Sequence, residues 1–368
     1  VKFDERFLDE LKGRLRLSDV IGRSVTLRRQ GREYVGLSPF GKERTPSFFV
    51  NDDKGFYHDF SSGKHGDLIS FLQETEGLSF REAVERLAEM AGLALPQETP
   101  QAQKLELRRQ GLGELLAEAA RWYQAQLRGP SGRAARAYLL GRGLPEDAWM
   151  RFGVGYAPGA GSPLKEHLLK GGAELKDLLE AGLLAVGADG GAPYDRFRDR
   201  IMFPIADLRG KVVSFGGRAL ESGARAKYLN GPETPLFHKG ATLYGLYEAR
   251  RLLQTPAPGA PDPPLVVVEG YMDVIACQRA GIAAAAPMGT ALTEEQMAAL
   301  WRLHREPTLC FDADAAGLRA AYRSLDRALP LLKPGRSFRF ALAAEGKDPD
   351  EVLREKGPDA LRGQIADT

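Results

Sequence analysis

The sequence predicts a multidomain α+β and α/β protein: a small β/α domain, then a mixed α/β region, then a parallel sheet covered by helices. Three observations carry this expectation. The chain has 368 residues, more than one hydrophobic core usually serves. Two stretches without apolar periodicity, 96–101 (PQETPQ) and 255–264 (TPAPGAPDPP), divide it. Beyond the second, strand and helix patterns alternate and the strands are continuously apolar, as in a parallel sheet buried on both faces.

The elements follow in order. Phe3, Phe7, Leu8, Leu11 and Leu15 recur at helical spacing, and Ser18-Asp19 reads as the N-cap of a short second helix. From 25 to 60 the pattern becomes strands, with turns at Gln30-Gly31 and at 51–55. Helices follow from Asp67 (Leu68, Ile69, Phe71, Leu72) and through Phe80, Val84, Leu87 and Met90. These elements define a first domain over 1–95 and a linker over 96–104. A helix over about 105–127 opens a mixed α/β subdomain, 105–254. Strands are expected at 265–268, 283–286, 308–311 and 337–342, with helices at 272–280, 294–303 and 315–329 between them. They form a parallel-sheet subdomain over 265–350. An amphipathic helix in 351–368 reads as the start of a helical subdomain that the chain truncates.

Composition excludes several classes. With 43% hydrophobic residues and mixed charges the chain is globular in type, and its net charge of +2 supplies no global field for polyanions. Nucleic-acid binding would need local basic patches. Cys277 and Cys310, the two cysteines, each lie in an apolar run and read as core thiols, not a disulfide framework. Lys2, Asp4, Glu5 and Arg6 open the chain without a signal-peptide core, and no apolar run reaches membrane-spanning length. Cytoplasmic location is the expectation, with no membrane partner.

Acidic residues gather at strand ends. Glu269 follows the strand LVVV, Asp312 and Asp314 follow TLCF, and Asp348 and Asp350 come shortly after SFRFAL. All fall at one edge of the predicted sheet, the edge where such sheets bind ligands. Residues i and i+2 of an extended segment point the same way, so each aspartate pair can form a two-pronged claw. Carboxylate oxygens suit hard cations such as magnesium. Acidic residues at one strand end are ordinarily caps or solvated loops, but three strand ends converging would repel without a cation. Metal-assisted phosphoryl chemistry is the reaction class this suggests.

The strings VVVEGYMDVIA, FDADAAG and KDPDEVL resemble the Toprim domain shared by bacterial primases, topoisomerases and some nucleases. The resemblance implies that Glu269, Asp312, Asp314, Asp348 and Asp350 hold the metals, with Glu269, Asp312 and Asp314 catalytic. EGYMD resembles primases in particular.

Upstream, Arg196, Arg198, Arg200, Arg218, Lys227 and Lys239 interleave with Tyr194, Phe197, Phe215, Tyr228 and Phe237. Arginine forks and lysine point charges among aromatics suit a polyanion or a single-strand track. Strands with snorkelling charges over an aromatic core are the blander reading. RFRDRIMFP, FGGR, KYLN and PET…FHKG, however, resemble the basic half of the polymerase domain of the bacterial DnaG-type primase family. The resemblance implies that Arg198, Arg200, Arg218, Lys227, Asn230 and Lys239 hold template backbone and nucleotide, and that Arg142 in YLLGRGL joins them. It extends from the first helix to about Gly363.

In that family the first domain is a zinc ribbon that grips template. SPFGKERTPSFFV and GFYHDFSSGKHGDLISFL resemble its two ligand loops, but the ligand positions carry Ser38, Gly41, Asp59 and Ser62. No cysteine precedes Cys277, and His58 and His65 are the domain's histidines. Closed zinc sites use four Cys or His ligands. The expectation is therefore a zinc-ribbon-like template-binding domain that lacks zinc and uses Phe48, Phe49, Phe56, Tyr57 and Phe60 as core. Alternatively, some of those rings stack bases while Arg28, Arg29, Arg32, Lys42, Arg44 and Lys64 meet phosphates.

The resemblance implies synthesis of RNA primers on single-stranded DNA from ribonucleoside triphosphates, with two magnesium or manganese ions and no zinc. Glu269 is either a metal ligand or a general base. A replicative helicase would dock through a C-terminal domain absent from this chain, and single-strand-binding protein is a further partner. The expected location is the nucleoid. A Toprim nuclease or topoisomerase is the competing enzyme class, although no segment reads as a topoisomerase's tyrosine-bearing domain. A non-catalytic single-strand-binding module is the other competitor.

Overall fold

The computed structural model describes every residue except 1, 2, 4, 42, 96–99, 188, 222, 225, 255–262, 290–291, 312–314, 343–348 and 367–368. The chain falls into two units, Val1–Leu105 and Glu106–Thr368.

In the first unit, α1 (Glu5–Arg14) and α2 (Leu17–Ile21) precede five short strands. These are β1 (Arg28–Gln30), β2 (Glu33–Gly36), β3 (Phe48–Asn51), β4 (Phe56–Asp59) and β5 (His65–Gly66), antiparallel in chain order. Then come α3 (Leu68–Glu76) and α4 (Phe80–Ala91). Capping boxes start both helices, Asp67 with Ser70 and Ser79 with Glu82. The N-cap of α2 is Arg16, not Ser18. Asp52 takes the Ser18 amide and hydroxyl, at 2.8 and 2.6 Å, so a tertiary partner claims the group expected to cap. Strand alternation divides the aromatics expected in the core. Phe48 and Tyr57 are buried with Leu11, Ile21, Phe71 and Leu87, whereas Phe49, Phe56 and Phe60 lie on the other face.

α5 (Pro100–Arg128) makes the expected linker helical from Pro100 onward. Next come α6 (Arg133–Gly141), α7 (Glu146–Arg151), β6 (Gly155–Ala157), α8 (Pro163–Lys170), α9 (Leu175–Glu180) and the paired β7 (Leu184–Ala185) and β8 (Tyr194–Asp195). β9 (Arg200–Ala206), β10 (Val212–Ala219) and β11 (Tyr228–Asn230) complete an antiparallel sheet of order β11-β10-β9-β6.

A second sheet, β12-β14-β13-β15-β16, follows. Its elements alternate: β12 (Leu243–Tyr244), α10 (Leu246–Gln254), β13 (Leu265–Val267), α11 (Tyr271–Arg279), β14 (Ala283–Pro287), α12 (Glu294–Leu303), β15 (Thr308–Phe311), α13 (Ala315–Ala328) and β16 (Arg339–Leu342). α14 (Pro349–Lys356) and α15 (Pro358–Ala366) end the chain. The four strands β13 to β16 are mutually parallel, and β12 is an antiparallel edge. One core runs from Trp149, Tyr156, Ile201 and Phe203 to Tyr271, Ile275 and Ala284, so both sheets share it. Each such large apolar side chain contributes about 1.5–3 kcal/mol on burial.

Candidate functional site

Parallel pairing of β13 with β15, and of β15 with β16, sets the carboxyl ends of these strands side by side. Glu269 follows β13 and is exposed. Asp350, near the start of α14, is only 6% exposed. Asp312, Asp314 and Asp348 lie outside the described residues. Among the described residues no group of three or more metal-ligating side chains is assembled.

Asp350 pairs with Arg142 at the C-cap of α6. Sequence reasoning put these two residues in different roles, metal ligand and phosphate binder, and the fold makes them partners.

The basic residues sit on adjoining strands. Arg200 opens β9, opposite Ala219 of β10 and Ala157 of β6. Arg218 lies on β10 opposite Tyr228 of β11, and Lys227 immediately precedes β11. The Ala219 amide donates to the Lys227 carbonyl at 2.9 Å. Burial lowers the Arg200 guanidinium's pKa from its ordinary value, and neighbouring Asp199 opposes that. Arg198 is exposed, with its Cζ 4.7 Å from the Tyr194 ring centre. Lys239 is tied through its backbone: its amide donates to Glu233 and its carbonyl accepts from Gln296 of α12, both at 2.9 Å.

Asn230 closes the arrangement. Its Nδ2 donates to the Met288 carbonyl at 2.8 Å, and its Oδ1 accepts from the Tyr271 hydroxyl at 2.6 Å. The Asn230 amide thus joins β11 to α11, the helix that begins two residues after Glu269. Burial pushes the Tyr271 hydroxyl well above its ordinary pKa, so it remains a donor.

Sequence reasoning missed the side chains that shape this surface. Tyr138 stacks beneath Arg218, with Cζ 4.3 Å from the ring centre. Its signal was its place in YLLGRGL, one helical turn before Arg142. The double glycine of FGGR has a direct cause. A Cβ at Gly216 would meet the Tyr271 hydroxyl at 2.2 Å, and one at Gly217 would meet Arg200 Cδ at 2.9 Å. Those glycines let a tyrosine and an arginine lie flat on β10.

The first unit offers another surface. Phe49, His58 and His65 align across β3, β4 and β5. Phe60 meets His58 at 4.2 Å and Phe49 at 5.5 Å between ring centres, and Phe56 meets His65 at 5.7 Å. Arg28, Arg29, Arg32, Arg44 and Lys64 are exposed in the same unit, and Lys42 lies outside the described residues.

Asp59, fully buried, accepts from Ser38 (2.8 Å), Ser47 (3.2 Å), Ser61 (3.1 Å) and the Ser62 hydroxyl and amide. Burial would raise its pKa, but the serine hydroxyls outweigh burial and hold it below the usual carboxylate range. Gly41 stands in the adjoining loop.

Comparisons with known proteins place these features in a family. Residues 3–103 match the CHC2 zinc finger, 122–250 the N-terminal domain of the DNA primase catalytic core, and 266–353 the Toprim-like domain. The zinc-finger match corrects the expectation that zinc has no part in the first domain. The side chains at its ligand positions, Ser38, Asp59 and Ser62 with Gly41, differ from the Cys and His donors of closed zinc sites.

A DNA primase of Pseudomonas aeruginosa is 43% identical over 98% of this chain and 54% of that protein. That of Escherichia coli K12 is 42% identical over 98% of this chain and 61% of that protein. The chain thus spans somewhat more than half the length of these relatives. Among solved structures, a primase domain from P. aeruginosa is 47% identical, with TM-score 0.64, over 69% of this chain and 78% of that one. A DnaG catalytic domain bound to ssDNA is 39% identical, with TM-score 0.63, over 71% and 80%. The Aquifex aeolicus primase, zinc-binding and RNA polymerase domains, is 32% identical, with TM-score 0.61, over 98% and 85%. In sequence, domain order and fold, the chain belongs to the DnaG primase family.

Proposed function

We propose that this chain synthesises short RNA primers on single-stranded DNA by nucleotidyl transfer from ribonucleoside triphosphates to a 3′-hydroxyl, releasing pyrophosphate. The observation that carries the proposal is the Asn230–Tyr271 bond, which ties the arginine-bearing strands to the helix following Glu269. A polyanion track and a carboxylate edge joined at one point suit phosphoryl chemistry on a nucleic-acid substrate.

In this reading Arg198 and Arg200 hold template backbone, while Arg218, Lys227 and Lys239 orient triphosphate oxygens. Arginine forks fix direction, and lysines supply charge where phosphates turn. Arg142 holds the Asp350 segment against α6, and Asn230 sets β11 against α11. Glu269, Asp312, Asp314, Asp348 and Asp350 would supply the oxygen donors that a hard cation takes. Two magnesium or manganese ions bound there would offset charge on the transferring phosphoryl group. Glu269 serves there as a ligand or as general base for the attacking hydroxyl. The first unit grips template: Phe49, His58 and Phe60 stack bases beside its exposed arginines.

The domains in this reading are 1–95 for template, 105–254 for the basic half and 265–350 for the Toprim half, with 351–368 opening a further helical subdomain. The partners are single-stranded DNA, ribonucleoside triphosphates, a replicative helicase through a C-terminal domain, and single-strand-binding protein, in the bacterial cytoplasm at the nucleoid. No helix among the described residues is long and apolar enough to cross a membrane. The test is incubation with single-stranded template, magnesium or manganese and labelled ribonucleoside triphosphates, with products sized on a gel. Short template-dependent RNAs are expected. Template degradation without triphosphates would mark a nuclease instead, and binding without either product a non-catalytic module.

A further inference from the structure

Between Arg198 and Arg200, the last two arginines of the RFRDR segment, stands Asp199, with φ 50°. Among the described residues it alone, apart from glycines, has a left-handed backbone. That conformation is unfavourable for an L-residue, less so for aspartate, and persists where the surroundings enforce it. Two contacts enforce it here. The Tyr156 hydroxyl donates to Asp199 Oδ1 at 2.8 Å, and the Asp199 carbonyl accepts from the Leu220 amide at 3.3 Å. Tyr156 is itself 7% exposed and sits in β6 opposite Ile201 of β9, so its ring is anchored beside the point where the chain enters β9.

In an extended segment Arg198 and Arg200 would point to the same side. The left-handed residue between them breaks that relationship. Arg198 is exposed over the Tyr194 ring, whereas Arg200 lies half-buried along β10, with Nη1 donating to the Gly217 carbonyl at 3.1 Å. We propose that Tyr156 and Asp199 are positioning residues, whose hydrogen bond fixes the backbone reversal that aims Arg198 and Arg200 at neighbouring phosphates of a single strand. This rests on the reading above that those arginines hold template.

The test is anisotropy of a fluorescently labelled, mixed-sequence single-stranded oligodeoxynucleotide, titrated with the whole chain at several NaCl concentrations. Arg198→Ala and Arg200→Ala serve as references, and thermal melting monitors folding. Tyr156→Phe keeps the buried ring and is expected to weaken binding roughly 3- to 10-fold, the scale of one missing hydrogen bond. Its salt slope should also fall by ~0.7 for each phosphate no longer held. Asp199→Asn keeps an acceptor oxygen and tolerates the left-handed backbone, so it should bind as wild type or tighter. Asp199→Gly keeps the backbone freedom but has no acceptor, and should resemble Tyr156→Phe.

Simple charge removal would instead make the Asn and Gly variants equal and tighter, which would overturn the proposal. So would an unchanged salt slope in Tyr156→Phe and Asp199→Gly while the arginine references bind weakly. If Tyr156→Phe melts early, Asp199→Gly reads the same bond with the tyrosine intact. Wild-type affinity in both arginine references would remove the template reading itself, and the positioning role with it.

Discussion

The guanidinium of Arg142 pairs with the carboxylate of Asp350, 208 residues further along the chain. The pair fastens the first turn of α14 to the end of α6. Around it, the Arg279 guanidinium donates to the Gly143 carbonyl at 2.8 Å.

Removing either member should destabilise the second unit. Breaking a buried pair costs about 3–5 kcal/mol. Because the Arg142 side chain is 29% exposed, water screens part of this, and about 2–3 kcal/mol is expected for Arg142→Ala or Asp350→Ala. The double variant should recover roughly 1–2 kcal/mol of the sum, as coupled residues do. Urea unfolding of the four proteins measures this, and additive losses would show the pair to be energetically idle.

Glu269→Gln and Asp312→Asn should each reduce primer synthesis by more than about 100-fold, with single-strand affinity unchanged or slightly raised. Each removes one negative charge from the proposed metal-binding set and leaves every basic residue of the proposed track in place. Activity within a factor of ten of wild type, only ~1.4 kcal/mol of barrier, would refute their assignment to the metal site.

Lys227→Ala and Arg218→Ala separate template binding from triphosphate binding. A side chain that holds a template phosphate lowers the salt slope of single-strand binding by ~0.7 when it is removed. An unchanged slope with a raised KM for nucleotide would assign that residue to the triphosphate. Lys227 is the cleaner probe, since Arg218 also stacks on Tyr138.

The parallel sheet and its order of elements were legible in the sequence because its strands are continuous apolar runs separated by amphipathic helices. Glu269 was legible as an acid just past β13, whereas Asp350, expected shortly after β16, lies in the first turn of α14. What could not be read was pairing at a distance. Asn230 looked like a ligand in KYLN, yet the fold turns its amide onto Met288 and Tyr271. Ser18 looked like a cap, and its partner is Asp52. The aromatics of 48–60 looked like one core, but alternation along β3 and β4 sends Phe49, Phe56 and Phe60 to the opposite face. For Asn230 and Ser18 the partner is a residue remote in sequence, and for the aromatics the side of the strand decides which ring is buried.

Asp59 should make the first unit acid-sensitive. Its folded pKa lies below the ordinary 3.8, so folding favours the ionised form. The resulting stability is complete above pH 3.8 and is lost as pH falls through the lower folded value. Asp59→Asn should cost about 2–3 kcal/mol at neutral pH, the scale of hydrogen bonds to a charged acceptor. The difference from wild type should vanish in strong acid, where both side chains are neutral. Hydrogen exchange of amides in Val1–Leu105, compared at neutral and acidic pH, measures it.

The Asn230–Tyr271 bond tests whether Asn230 meets nucleotide or holds the two sheets together. Tyr271→Phe removes one hydroxyl from a packed ring that stacks on Phe203 at 5.0 Å. It leaves Asn230 in place with an unfilled acceptor, at a cost of about 1–3 kcal/mol. If Asn230 acts by holding β11 against α11, Tyr271→Phe and Asn230→Ala should lose similar stability and similar primer synthesis, with the loss in kcat. If the amide instead touches nucleotide, Asn230→Ala should raise the nucleotide KM while Tyr271→Phe leaves it near wild type. The geometry favours the first outcome, because both heteroatoms of the amide already have protein partners at 2.6 and 2.8 Å.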